Sequence, residues 1–204
     1  MKYIYPPRPE NKIPRANLNK FDNGEFMAEP KFNGSCCEIY VDEPISVMNR
    51  HNESLSNFKI KDDEIMDILN IGEGKNVFCG EYMNKSKKDK NGNIFNHKFV
   101  IFDIIVLNDV HLLGTTFIER YEMLKKMFNF IDEDEFTYKI TDNLFLTKMY
   151  EDNFCELWDE FIKTDMIEGF VLKRKNAKLE PGVREKNNTL SQIKCRKETK
   201  NYSY

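Results

Sequence analysis

The feature that most constrains this chain is the order of its short β-like runs. They come in clusters with helices set between them, and no regular strand-helix-strand alternation. Such runs occur at residues 36–41, 45–48, 77–83 and 99–107, punctuated by Asn-Gly and Asp-Glu-Pro turn signals. The first two are spaced to form a hairpin. Apolar residues recur at three- and four-residue intervals over 62–69, 117–130 and 153–163, which predicts helices there. Two more strands are expected at 169–173 and 190–195, separated by a polar loop through Pro181 and Gly182. This order predicts an α+β domain of antiparallel sheets flanked by helices. The opening YPPRPENKIP is turn-rich and extended, because each proline fixes φ, and it is expected to wrap the domain surface.

With 204 residues, 40% of them hydrophobic and 13% aromatic, the chain can bury one good-sized core, so residues 1–204 read as a single domain. No stretch approaches the roughly 20 apolar residues needed to span a bilayer. Residues 1–9 lack the basic and apolar regions of a secretory signal, which predicts a soluble protein of the cytoplasm. The five cysteines show no C-x-x-C pairing and read as reduced thiols. His51, His97 and His111 are scattered and read as surface or packing residues. The net charge of −3 conceals an asymmetry, because residues 173–200 hold ten Lys or Arg against three Glu. That region is suited to holding phosphates. The lysines at 85, 87, 88 and 90 read as a solvated loop that could also follow a nucleic-acid backbone.

No Rossmann or P-loop glycine pattern is present, so an enzyme of this kind that handles a nucleotide must grip its phosphates with side chains. Five blocks supply candidates in order: Glu29-Pro30-Lys31-Phe32-Asn33-Gly34, Gly80-Glu81-Tyr82, Phe99-Val100-Ile101-Phe102-Asp103, Glu168-Gly169-Phe170-Val171-Leu172-Lys173, and Ile193-Lys194-Cys195-Arg196-Lys197. Taken alone, the first is a common surface turn. Taken together, the five resemble the covalent nucleotidyltransferase superfamily, which comprises ATP- and NAD-dependent DNA ligases, RNA ligases and mRNA capping enzymes. The resemblance covers nearly the whole chain. It is closest to phage RNA ligases that seal nicks and to small viral DNA ligases. Asn33 stands where the family usually has Asp, and Arg196 where it has a second lysine.

The resemblance implies an ATP-grasp-like ligase nucleotidyltransferase domain that uses ATP with Mg²⁺ or Mn²⁺. Lys31 would be the nucleophile, with Lys194 and Arg196 beside the phosphates. A lysine with a reference pKa of about 10.4 must lose its proton to attack, and a cationic cluster with a bound metal is expected to lower that value. Glu168 would hold the metal, Phe102 would stack on adenine and Glu81 would take the ribose. In the strand FVIFDII, alternation sets Phe102 opposite Ile101 and Asp103. Glu29, Arg50 and Lys173 would complete the nucleotide site. The expected partner is nicked or broken DNA or RNA, met by a monomer without the further domain that ligases carry, or with another chain supplying that domain's role. Two alternatives remain open: a GTP-dependent capping guanylyltransferase, and a catalytically silent nucleic-acid-binding module.

Overall fold

Alternation along strands and three-to-four spacing along helices sort the apolar side chains into two cores. The computed structural model describes residues 3–9, 11–180 and 191–198. Its first half runs β1 (Asn11–Lys12), a 3-10 helix (Arg15–Lys20), β2 (Phe26–Phe32), β3 (Ser35–Val41), β4 (Ser46–Asn49), α1 (Asp62–Leu69) and β5 (Asn76–Met83). A small hairpin of β6 (Lys87–Lys88) and β7 (Ile94–Phe95) follows, then β8 (Lys98–Leu107) and β9 (Val110–His111). The second half contains α2 (Phe117–Met127), β10 (Asp132–Glu133), β11 (Thr137–Lys139), β12 (Leu144–Thr147), α3 (Phe154–Phe161), β13 (Ile167–Arg174) and β14 (Gln192–Arg196).

The strands form a four-stranded sheet in the order β1-β14-β13-β2 and an eight-stranded sheet in the order β10-β11-β12-β8-β5-β3-β4, with β9 beside β8. Pairing is antiparallel except at β1–β14 and β12–β8. The expected α+β class therefore holds, with two parallel pairs added. The predicted hairpin is present, with Ile39 opposite Val47. Helix α1 has the expected bounds, whereas α2 stops at Met127 rather than residue 130. Phe128 and Phe130 extended the apolar rhythm, but Phe128 has extended dihedrals, and the two rings pack against Phe78 and Tyr138. Leu190, the Pro181-Gly182 loop and much of the basic 173–200 region lie outside the described residues.

The larger core joins α1 and α2 to the eight-stranded sheet, with Ile65, Leu69, Phe99, Ile101 and Leu124 fully buried. The smaller core packs α3 on the four-stranded sheet through Trp158, Phe161, Phe170 and Leu172. Each such side chain contributes about 1.5–3 kcal/mol by burial. Helix α2 opens on a capping box between Thr116 and Glu119. It is then tied to β8 by a buried fork, in which Arg120 Nε donates to Asp103 Oδ1 (2.7 Å) and Nη2 to Oδ2 (2.9 Å). The polar interruption of β8 is thus an anchor that fixes the strand next to Phe102.

Candidate active site

The two sheets face each other across a cleft of about 160 Å³. Along β2, Phe26, Ala28 and Phe32 enter the smaller core, while Glu29 and Lys31 line the cleft. The same alternation operates in β14, where Ile193 and Cys195 face the core and Gln192, Lys194 and Arg196 face the cleft. The sequence placed Lys31 before a strand; it lies within one, opposite Gly169 of β13.

Strict alternation would send Glu168 into the core with Phe170 and Leu172, and a bulge prevents this. The β2–β13 register shifts between Ile167 and Gly169, and Gly169 has a φ of 146° that favours glycine. A Cβ at Gly169 would lie 2.0 Å from the Cys195 carbonyl oxygen and 2.7 Å from the Trp158 ring. Only glycine fits. Glu168 can then contact Lys31 Nζ through one oxygen and accept from Arg196 Nη2 through the other (2.6 Å).

The opposite wall is built by β3, β5 and β8. Gly80 has no side chain because the Phe99 ring lies against it, 2.4 Å from where a Cβ would sit. Beside it, Glu81 accepts from the Gly34 N–H at 3.0 Å. Phe102 is the extra residue where the β5–β8 register shifts between Cys79 and Gly80. Its ring lines the cleft because of this bulge as well as simple alternation. Lys173 Nζ lies 4.7 Å from the ring centre and is paired with Glu29 at 2.5 Å, both side chains being buried.

The charges of the cleft are set by burial and by these carboxylates. Burial works to lower the Lys31 pKa, but Glu81 and Glu168 more than offset it, so the net direction is up. Of the neighbouring cations Arg196 acts downward, as expected, but it is itself held by Glu168 and the two carboxylates outweigh it. Burial pushes Glu81 up to about 7, with Lys31 pulling it down and Glu168 pushing it up. Burial also raises Glu29, against the pull of Lys173.

Of the sequence candidates, Glu29, Lys31, Arg50, Glu81, Phe102, Lys173, Lys194 and Arg196 all line this cleft. Glu168 lines its adjoining outer lobe, which shares Lys31, Arg50, Glu81 and Arg196. Arg50 is exposed, with its Nε 3.1 Å from His51 Nε2. Lys194 lines the cleft beside Lys31 and Arg196, with its Nζ donating to the Pro9 carbonyl (3.0 Å). Pro7, Arg8, Pro9, Cys36 and Gln192 also line the cleft and were not singled out in the sequence. Nothing in their local pattern signals a site.

A family model for the ATP dependent DNA ligase domain matches residues 62–194. The chain belongs to that family. Membership implies use of ATP by this domain. Solved structures share its fold at low identity. Mycobacterial DNA ligase D complexed with ATP and MES aligns with a TM-score of 0.57 and 16% identity, over 85% of this chain and 55% of that one. A structure designated Pmar-Lig_Pre aligns at 0.66 and 18%, over 95% and 47%. An archaeal ATP-dependent RNA ligase aligns at 0.53 and 12%, over 93% and 47%. The ligase domain thus spans about half the length of these structures. No curated protein sequence matches it. Among the described residues, no helix is long and apolar enough to cross a membrane.

Proposed function

We propose that this ligase domain forms a covalent lysyl-AMP adduct on Lys31 and passes the AMP to a 5′-phosphate of DNA or RNA, from which a 3′-hydroxyl then displaces AMP to join the strands. The observation that carries this reading is the meeting of Lys31, Glu168 and Arg196 where the cleft joins its outer lobe, with Glu81 and Phe102 on the facing wall. With adenine against Phe102, the Lys31 amine attacks the α-phosphorus. The N–P bond forms as the bond to pyrophosphate breaks, and the lysine proton leaves to water, to which the side chain is 22% exposed. Arg196 and Lys194 offset the phosphate charge. Glu81, held at about 7, retains a proton in part of the population near neutrality and can both donate to and accept from a ribose hydroxyl.

A divalent cation fits this donor set. Glu168 reaches Lys31 and Arg196 with its two oxygens and Glu81 lines the same outer lobe, and Mg²⁺ is ordinarily held by one or two carboxylates and its own water. When bound, Mg²⁺ or Mn²⁺ would supply positive charge that relieves the carboxylate hold on the Lys31 proton. Joining of strands by the whole protein belongs to this proposal, since the chain spans about half the length of the structures it resembles.

Incubation with labelled ATP or GTP, followed by denaturing electrophoresis and intact-mass measurement, tests the reading. The expected result is a mass gain of AMP from ATP, abolished in Lys31→Ala. An adduct from GTP alone would favour the capping reaction, and no adduct from either would favour a silent binding module.

A further inference from the structure

The proline-rich segment before β1 is held at both ends by opposite walls of the cleft. At one end Tyr3 Oη donates to the Asn49 carbonyl (3.0 Å) and the Ile4 N–H donates to Tyr40 Oη (2.9 Å), fixing it to β4 and β3. At the other, the Pro9 carbonyl accepts from Lys194 Nζ (3.0 Å), and β1 pairs in parallel with β14. Residues 5–9 therefore bridge the two sheets, and Pro7, Arg8 and Pro9 form part of the cleft lining. Prolines at 6, 7 and 9 fix φ and remove N–H donors, so this strap keeps its shape with little help from hydrogen bonds.

Among the described residues, Arg8 is set apart by its lack of a partner. The cleft is lined by Arg8, Lys31, Arg50, Lys173, Lys194 and Arg196. Lys31 and Arg196 are paired with Glu168, and Lys173 with Glu29. Lys194 is bonded to Pro9 and Arg50 to His51. Half-buried Arg8 makes no hydrogen bond or ion pair among the described residues. An unneutralised guanidinium on the wall of such a cleft is a binding element for an anion, and its planar fork matches adjacent phosphate oxygens.

We propose that Arg8 is a nucleotide-binding residue that engages the β- and γ-phosphates of ATP, with the strap completing the cleft. This rests on the nucleotidyl-transfer reading above. It adds a cation from a segment remote in sequence from every block that carries that reading, and charge at the leaving pyrophosphate is where a bound guanidinium aids transfer.

Equilibrium binding of ATP and of AMP to the parent protein, Arg8→Gln and Arg8→Lys tests this, with thermal melting to verify the fold. Arg8→Gln keeps much of the stem and a polar head while losing the charge. It is expected to weaken ATP about tenfold or more, the worth of one charge-assisted hydrogen bond, and to change AMP less than about twofold. Arg8→Lys should recover part of the ATP affinity. In adduct formation the loss should appear as a raised KM for ATP. Unchanged ATP affinity, or equal losses for ATP and AMP, would overturn the assignment while leaving nucleotidyl transfer intact. A folded parent protein that binds ATP but never forms an adduct would instead overturn the nucleotidyl-transfer reading, on which this one rests.

Discussion

At the scale of single residues, the cleft places aromatic side chains of one strand in different environments. Phe102 is half-buried and lines the cleft, whereas Phe99 is fully buried against Gly80. Replacing Phe102 with Leu keeps apolar volume but removes the face available to a base, and an aromatic–base stack is worth roughly 1–3 kcal/mol. ATP affinity should therefore fall about tenfold, with little change in melting temperature. Phe99→Leu should do the reverse, costing about 1 kcal/mol or more of stability by the void it leaves and sparing nucleotide affinity in the folded protein. Binding isotherms and thermal melts on both variants check this, and the opposite pattern would move the base to another part of the cleft. Such contrasts were only partly legible in the sequence. Phe102 stands out in the sequence through its block and through alternation, but the bulge that sets it beside Lys173 follows from how β8 pairs with β5.

At the scale of elements, the same point applies to β2. Its sequence FMAEPKF does not read as a strand, because a proline and two charged residues interrupt the alternation. Those charges stand where the strand faces the cleft, and Glu29 finds Lys173 only after β2 pairs with β13. Strand β12 escaped for a different reason: Leu144–Thr147 is short and buried on both faces, so it has no polar rhythm to detect. The Glu-Gly pair of β13 was visible, yet its physical reason was not. Gly169→Ala should cost about 1–3 kcal/mol from backbone strain alone, and more from the clash with Cys195 and Trp158. Chemical denaturation should detect that loss. Adduct formation should fall as well in the variant that remains folded, because Glu168 loses the bulge that turns it toward Lys31.

At the scale of the whole molecule, stability should depend on pH through carboxyls that folding buries. Glu38 lies 1% exposed in the middle of β3, where its Oε2 accepts from Tyr40 Oη at 2.7 Å and its Oε1 has no partner among the described residues. Burial raises it from the usual 4.5 to about 8, the Tyr40 bond opposing. The folded state thus keeps a proton that the unfolded chain gives up. The contribution is fully present below about pH 4.5 and is lost as pH rises to about 8, at no more than about 1.4 kcal/mol per pH unit. Glu81 acts in the same direction up to about 7. Melting temperatures measured from pH 5 to 8.5 should fall less steeply in Glu38→Gln than in the parent protein, and parallel curves would sink the assignment. Legible in the chain alone were the α+β class, the three α-helices, six of the fourteen strands of the described residues, and the residue types that line the cleft. These follow from local periodicity and from short blocks of neighbouring residues. Only the tertiary structure decided that Glu168 contacts both Lys31 and Arg196, that the cleft carboxylates hold the Lys31 proton, that Asp103 anchors α2, and that the proline strap carries Arg8 to the cleft. Each of those depends on strand register, on a bulge or on a chain crossing between sheets, and such long-range pairings leave no period in the local sequence.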